Sequence, residues 1–385
     1  MRVALVSSDT SPQSGAARCL LRLAVGLKQR GDEPVLLLSD MTGIAVDARQ
    51  SGIEVHSTRA GRPHLRRGWR GVAAWAVNFP LGTVALAWQL RRLRVNIVHA
   101  NEFIELQAGV AAKLARLPCV YHVRWPLGTS LVERCVARLV MALSVGLIFV
   151  SSATRDLFLR AAGSRRTSRM WVIHDPGPEL TEPGPGVREE VRREFGVPAD
   201  SPLVLQVSKL IPHKGQHLFL EAAALVANSV RNVHFIMAGG EVPGHEAYAR
   251  EIAALASQEP LRGKVTLAGY REDVSRLMAA ADIVVHTPTI AESFPGVTLE
   301  AMAAGRAIIA ARIGGMPEQI EHGVTGILVK PGRADELAQA MLRLLGDPES
   351  RARLGATAQG AYPSRFGRGQ HAATVAKVYL QFARR

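Results

Sequence analysis

A stretch rich in proline and glycine, residues 175–186, divides this chain into two runs of the same pattern. It holds Pro176, Pro178, Pro183, Pro185 and three glycines. Such residues punctuate regular structure, because proline removes a backbone donor and glycine opens conformations closed to other residues. Before it, short apolar runs read as strands at 3–8, 35–38, 95–99, 119–122, 147–150 and 170–173. Helical periodicity covers 15–30, through Leu20, Leu21, Leu23, Ala24 and Leu27, and again 107–117. Beyond it the alternation restarts, with strands expected at 203–207, 233–238, 265–267, 283–286, 307–310 and 326–329 and a further helix at 335–345. Strands alternating with helices imply parallel βαβ units. The expected fold class is therefore α/β with two Rossmann-like domains, and a chain of 385 residues suits two cores rather than one. The boundaries expected are 1–180 and 190–364.

The charge is unevenly spread. Residues 1–180 hold 24 Lys and Arg against 12 Asp and Glu, a net of +12, whereas 181–385 hold 23 against 21. The basic field belongs to the first half and favours phosphate-rich partners, an anionic membrane face or anionic glycolipids. Nucleic acid is not expected as a partner, since aromatic residues make up 5% of the chain and no base-stacking or DNA-reading motif is present. Cys19, Cys119 and Cys135 are widely spaced and odd in number, so they form neither a disulfide framework nor a metal-ligand set, and a reducing cytoplasm is the simplest compartment. The apolar run at the N-terminus is too short for a signal peptide.

Residues 65–94 stand apart. The apolar stretch 71–88 is flanked by Arg66, Arg67 and Arg70 on one side and by Arg91, Arg92 and Arg94 on the other. The segment carries Trp69, Trp75 and Trp88, three of the five tryptophans. One reading is an amphipathic or re-entrant segment on a membrane surface. The plainer one is two helices packed into the first domain. A full span fits less well, because Asn78, Pro80 and Gly82 interrupt a stretch already short for a bilayer.

Three pieces carry chemistry. The first is Glu292-Ser-Phe-Pro-Gly-Val-Thr-Leu-Glu300, two carboxylates on either side of a turn that opens an apolar helix near Gly296. A helix start offers unpaired N–H groups and the positive end of a dipole, which together seat an anion. Carboxylates beside that seat can accept hydrogen bonds from sugar hydroxyls, so the site suits a nucleotide-linked sugar. The second is the strand-to-helix loop Lys209-Leu-Ile-Pro-His-Lys214-Gly215, whose two lysines suit a diphosphate; alone it reads first as a solvated basic loop, and its place in the same half as the Glu292–Glu300 pair favours the phosphate reading. The third is the small-residue turn 11–18 around Gly15, which lets a ligand approach the backbone or is simply a tight turn. It is not GxGxxG, so a nicotinamide cofactor is poorly supported.

Taken in order, these motifs resemble the retaining GT-B glycosyltransferases of the large family 4 group. The resemblance is strongest over 203–346, through Glu292 and Glu300, then Glu300-Ala-Met-Ala-Ala-Gly305, Gly314-Gly-Met-Pro-Glu318 and Val324-Thr-Gly-Ile-Leu-Val329. It implies a GT-B fold, two Rossmann-like domains facing across a cleft, with the C-terminal helix of about 365–385 packing back on the first domain. It implies that Glu292 contacts the donor sugar near the reacting centre, that Glu300 binds the ribose, and that Lys209 and Lys214 neutralise the diphosphate. It further implies that Phe294, Pro295, Gly296, Val297 and Thr298 present N–H groups to phosphate or sugar, that Arg271 lies in the segment lining the base, and that Gly15 lies close to the diphosphate. Departures are present. Lys209 replaces the usual arginine and loses its bidentate fork. Ser14-Gly15 replaces Gly-Gly, and His174-Asp-Pro-Gly replaces the usual Asn-Gly. The family's His-x-His is His99-Ala-Asn101, so an asparagine that cannot shuttle a proton stands at the catalytic histidine position. His122 matches another family histidine, and each histidine reads equally as a strand-end residue bonded to backbone.

The chemistry implied is transfer of a hexose or hexosamine from a UDP- or GDP-sugar to an acceptor hydroxyl with retention. No cofactor and no metal are expected, since no Asp-x-Asp signature is present. The acceptor expected is a glycan or lipid-linked saccharide in cell-surface polysaccharide or glycolipid assembly, with the protein cytoplasmic and peripheral on the inner membrane face; a soluble acceptor is the alternative. Two other functions share the fold: a nucleotide-sugar epimerase, which needs no acceptor, and a non-catalytic nucleotide-sugar-binding protein.

Overall fold

The computed structural model describes residues 1–59, 61, 68–128, 130–165, 167–178 and 184–383, with backbone alone at 68–70, 72 and 74. Arg66, Arg67 and the linker residues 179–183 lie outside the described residues, as do the side chains of Trp69 and Arg70. The chain divides into two compact units, Met1–Pro176 with Phe366–Arg385, and Gly177–Arg365.

The first unit runs β1 (Arg2–Ser7), α1 (Gly15–Gln29), β2 (Glu33–Leu38), α2 (Ile44–Gln50), β3 (Glu54–Ser57), α3 (Gly68–Arg92), β4 (Ile97–Ala100), α4 (Leu106–Ala115), β5 (Cys119–Val123), α5 (Leu131–Leu143), β6 (Gly146–Phe149), α6 (Ser152–Ala162) and β7 (Met170–Val172). Its sheet has the order β3-β2-β1-β4-β5-β6-β7, with every neighbouring pair parallel. The order reverses between β1 and β4, where the loops leaving the two strands diverge and open a crevice at their C-terminal ends. Val3, Leu5, Leu36 and Leu38 pack on one face with α1 and α2, while Ala4, Val6, Val35 and Leu37 pack on the other with α3 to α6. Alternate side chains leave opposite faces of a strand, so a strand buried on both sides reads as a continuous apolar run, and this is what made these strands visible in the sequence. Short β3 and α2 carried no such signal.

The second unit runs α7 (Val187–Glu194), β8 (Leu203–Val207), α8 (Gln216–Ser229), β9 (His234–Ala238), α9 (Glu246–Ala256), β10 (Val265–Gly269), α10 (Val274–Ala280), β11 (Ile283–His286), α11 (Gly296–Ala303), β12 (Ala307–Ala311), α12 (Met316–Gln319), β13 (Ile327–Val329), α13 (Ala334–Gly346) and α14 (Pro348–Phe366). Its all-parallel sheet, β10-β9-β8-β11-β12-β13, repeats the order of the first sheet without a counterpart of β7, and its switch point lies between β8 and β11. The last helix, α15 (Arg368–Leu380), belongs to the first unit, where Ala372, Val375, Ala376 and Tyr379 join the core beneath α1.

Residues 71–88 form part of one helix, α3, rather than two. Pro80 sits inside it, and Ala76, whose carbonyl loses its usual N–H partner to that proline, lies on the exposed side where water can replace it. Among the described residues no helix is long and apolar enough to cross a membrane.

Candidate active site

In the second unit the switch point gathers the predicted residues. The loop after β8 makes a bridge at Leu210 to Glu241 and then a 3-10 turn over Pro212–Lys214. It closes at Gly215, whose φ is +73° and where an added Cβ would stand 2.0 Å from the Thr287 carbonyl oxygen. Only glycine satisfies both conditions. The contact draws the Lys214 loop against the residue following β11, helped by Thr289 N–H donating to His213 O at 2.9 Å. Lys214 Nζ consequently reaches Glu292 Oε2 at 2.7 Å. Lys209 is exposed, and its carbonyl is held by Gln216 Nε2 at 2.7 Å.

Glu292 is gripped through its backbone. Gly315 N–H donates to Glu292 O at 2.9 Å. A Cβ at Gly314, where φ is +61°, would stand 2.1 Å from that oxygen, and one at Gly315 would stand 2.0 Å from Ser293 O. The Gly314-Gly315 pair therefore exists to let two backbones touch. His286, at the end of β11 and 2% exposed, places Nε2 3.2 Å from Glu292 Oε1, without the alignment of a hydrogen bond. Burial raises the Glu292 carboxyl, but the neighbouring His286 imidazole and the Lys214 ammonium outweigh it and take the group down to about 2.

The helix α11 begins at Gly296 with Pro295 at its cap and no side-chain cap. Pro295 and Thr298 are buried, Gly296 is exposed, and Phe294, Val297 and Glu300 are half-buried. The Thr298 hydroxyl donates to Pro295 O at 2.8 Å, and Gln319 Nε2 donates to the same oxygen at 3.0 Å, so this turn is locked in place while no side chain caps the helix start. Glu300 is the fifth residue of the helix. Arg271 is less available than its motif suggests. It donates to both oxygens of Asp273 at 2.8 and 2.7 Å and to Glu194 at 2.7 Å, and its guanidinium lies 5.4 Å from the Phe195 ring centroid. The hydrogen bonds to Asp273 and Glu194 hold it above the ordinary arginine range. Beside it, Tyr270 is 55% exposed.

In the first unit Gly15 opens α1 at the end of the loop after β1 and faces open space. Ser14, the capping residue, turns its hydroxyl to Asp9 at 2.6 Å instead of to the helix. His99, Asn101 and His122 come together at the ends of β4 and β5, and all are buried. Asn101 Nδ2 reaches Ala16 O at 3.3 Å, and Asn101 Oδ1 accepts from Arg124 at 2.6 Å, so its carboxamide is engaged on both sides. Arg124, missed in the sequence, is the centre of this cluster. Its Nε lies 3.1 Å from both oxygens of Asp175, and another nitrogen donates to His122 Nδ1 at 3.0 Å. That bond places the His122 proton on Nε2, facing Asp175 at 3.8 Å. His371 and Tyr379, from α15, complete the group: His371 Nδ1 donates to His174 O at 2.8 Å, and Tyr379 Oη lies 2.7 Å from His99 Nδ1. Burial first, then the Arg124 charge, holds His99 and His122 well below the usual histidine range. Burial likewise takes His371 to about 4.

The reach of two sequence families accords with this geometry. The family described as "Glycosyltransferase Family 4" matches residues 13–176, and that described as "Glycosyl transferases group 1" matches 187–361. The chain belongs to the family 4 glycosyltransferases, whose architecture is GT-B. Among curated proteins it is 32% identical over 197 residues to the alpha-D-kanosaminyltransferase of Streptomyces kanamyceticus, covering 50% of this chain and 49% of the relative. It is 33% identical over 201 residues to the D-inositol 3-phosphate glycosyltransferase of Mycobacterium avium, covering 52% and 46%. It thus spans about half the length of the curated relatives it matches. Among solved structures, Anabaena Alr3699/HepE in complex with UDP superposes with a TM-score of 0.84 at 27% identity, over 99% of this chain and 100% of that one. The same protein has also been solved with UDP-glucose.

Proposed function

We propose that this chain is a retaining glycosyltransferase that moves a hexose or hexosamine from a nucleoside diphosphate sugar, of UDP or GDP type, to an acceptor hydroxyl. The observation that carries the reading is the Lys214–Glu292 pair at the switch point of the second unit, beside the uncapped start of α11. UDP is the first donor to test, since Alr3699/HepE binds UDP and UDP-glucose.

In this reading the diphosphate takes the place beside Lys214, with Lys209 adding charge and the first N–H groups of α11 receiving phosphate or sugar oxygens. These groups stabilise the charge that develops as the bond between the anomeric carbon and the phosphate oxygen breaks. The acceptor oxygen bonds to the anomeric carbon from the same face, and its proton passes to the departing phosphate oxygen. Glu292, ionised and backbone-clamped, is turned to the sugar, and Glu300 to the ribose. Metal is not required for this charge balance. The acceptor is a lipid-linked or polyanionic glycan of cell-surface assembly, met at the inner face of a membrane by the basic first unit.

The test is transfer, or hydrolysis in the absence of acceptor, from a panel of sugar nucleotides. Glu292→Ala should abolish both while UDP still raises the thermal unfolding midpoint. Unaltered turnover in that variant removes Glu292 from the site. A second reading, a nucleotide-sugar-binding protein without catalysis, is favoured by Asn101, which stands at the family's histidine position and has its carboxamide engaged. It predicts UDP binding with neither transfer nor hydrolysis for any donor.

A further inference from the structure

The solvent face of α3 is apolar where a surface helix should be polar. Among the described side chains from 73 to 88, those exposed are Ala73, Ala76, Val77, Asn78, Pro80, Leu81, Val84, Ala85 and Trp88. The large ones repeat at helical spacing, Val77 75% exposed, Leu81 69%, Val84 61% and Trp88 61%. The stripe is roughly 16 Å long. The opposite face is already occupied, with Leu86, Ala87 and Leu90 in the core. A contiguous apolar stripe of this kind on a soluble protein marks a contact.

The charge around the stripe selects its partner. The layer α3, α4 and α5 exposes Arg91, Arg92, Lys113, Arg116, Arg134 and Arg138. Between residues 68 and 143 the sequence has three carboxylates. Glu102 and Glu105 are buried, and Glu133 is spent on its own helix, accepting from Ser130 N–H and hydroxyl. No carboxylate is left to balance the exposed cations of this layer. Arg92 sits with its guanidinium 5.2 Å from the Trp88 ring centroid, an amphipathic pair at the end of the stripe. Next to it an open cavity of about 570 Å³ lies between the end of β3 with the residues that follow it and α3, lined by His56, Arg59, Trp88 and Arg92 among others.

We infer that the outer face of α3 docks in the plane of an anionic phospholipid bilayer. Val77, Leu81, Val84 and Trp88 enter the boundary between headgroups and acyl chains, and Arg91 and Arg92 meet lipid phosphates, with Arg59 and Arg92 offering a phosphate a seat in the cavity. A second copy of the chain is the poorer occupant, because a self-contact would set this cationic layer against itself. The inference rests on the proposed membrane-borne acceptor for its purpose, but not for its geometry.

The experiment is sedimentation of the full chain with phosphatidylcholine vesicles, with and without anionic phosphatidylglycerol, at low and high salt. UDP-induced thermal stabilisation is measured on the same samples. Binding should require the anionic lipid and fall with salt. Leu81→Glu/Val84→Glu should abolish it with circular dichroism unchanged, and Arg91→Glu/Arg92→Glu should weaken it by at least about fivefold per residue. Equal binding of wild type and Leu81→Glu/Val84→Glu, or equal binding to neutral and anionic vesicles, overturns the inference. So does a dimer in solution that the same double variant splits, which would assign the stripe to a second copy. Vesicle binding without any UDP response leaves the docking face standing and sinks the donor site, whereas the reverse result sinks the docking face alone.

Discussion

Lys214 Nζ lies 2.7 Å from Glu292 Oε2, a contact between residues 78 apart in the chain. It forms because β8 and β11 are neighbours across the switch point and the backbone at Gly215 touches Thr287. In the proposed donor site the same cation would meet the diphosphate as it enters. The pair is therefore both a structural tie and half of the proposed donor seat.

Lys214→Ala should lower UDP affinity by about tenfold or more, the loss of one hydrogen bond to a charged group. Titration calorimetry with UDP checks this. Unchanged affinity would place the diphosphate away from the 209–215 loop.

Glu292 titrates near 2, below its value in the unfolded chain. A carboxylate depressed in this way contributes stability that is present above pH 4.5 and is lost as pH falls toward 2. In Glu292→Gln this share of the acid dependence should disappear, on the order of 3 kcal/mol. Thermal unfolding of both proteins between pH 2 and 5 measures it, and parallel curves would contradict the charge contact.

Gly314→Ala meets the Glu292 backbone at 2.1 Å in a left-handed conformation. The cost should be about 1–3 kcal/mol of stability, with kcat falling further than the lost stability explains because Glu292 shifts. Gly15→Ala, by contrast, faces open space and should leave the unfolding midpoint unchanged. Chemical denaturation of the two variants separates them.

His371 is buried, with a folded value of about 4. The unfolded chain takes up a proton near pH 6.5 that the folded chain refuses, so this contribution is complete above pH 6.5 and is lost as pH falls toward 4. The slope corresponds to an order of 3 kcal/mol. His371→Gln should flatten the fall of the urea midpoint between pH 7 and 5, and an unaltered slope would show that His371 is already charged in the fold.

Much of the fold could be read from local pattern. Strands such as β1, β2, β8 and β11 are buried on both faces, so their apolar runs are unbroken, and α1 shows its core side through Leu20, Leu23, Ala24 and Leu27. The motif around Glu292, the 209–215 loop and Gly15 were legible for a related reason. A strand-to-helix loop at a switch point is written in consecutive residues, with small residues where backbones or ligands come close. What local pattern does not carry is partnership at a distance. Nothing near Arg124 announces that it will join Asn101, His122 and Asp175, and nothing near His371 or Tyr379 places them under β4 and β5.

Glu292 and Lys214 were thus marked as chemical residues by type and position alone, because helix starts and glycine turns are local properties of the chain. Their pairing, the burial of His286 beside them and the engagement of Asn101 and Arg271 by neighbours follow from strand order and side-chain packing. The same division holds for α3. Its apolar and basic composition is visible in the residues, but which face the core claims, and hence which face is left exposed, depends on how α3 lies against α4 and the sheet.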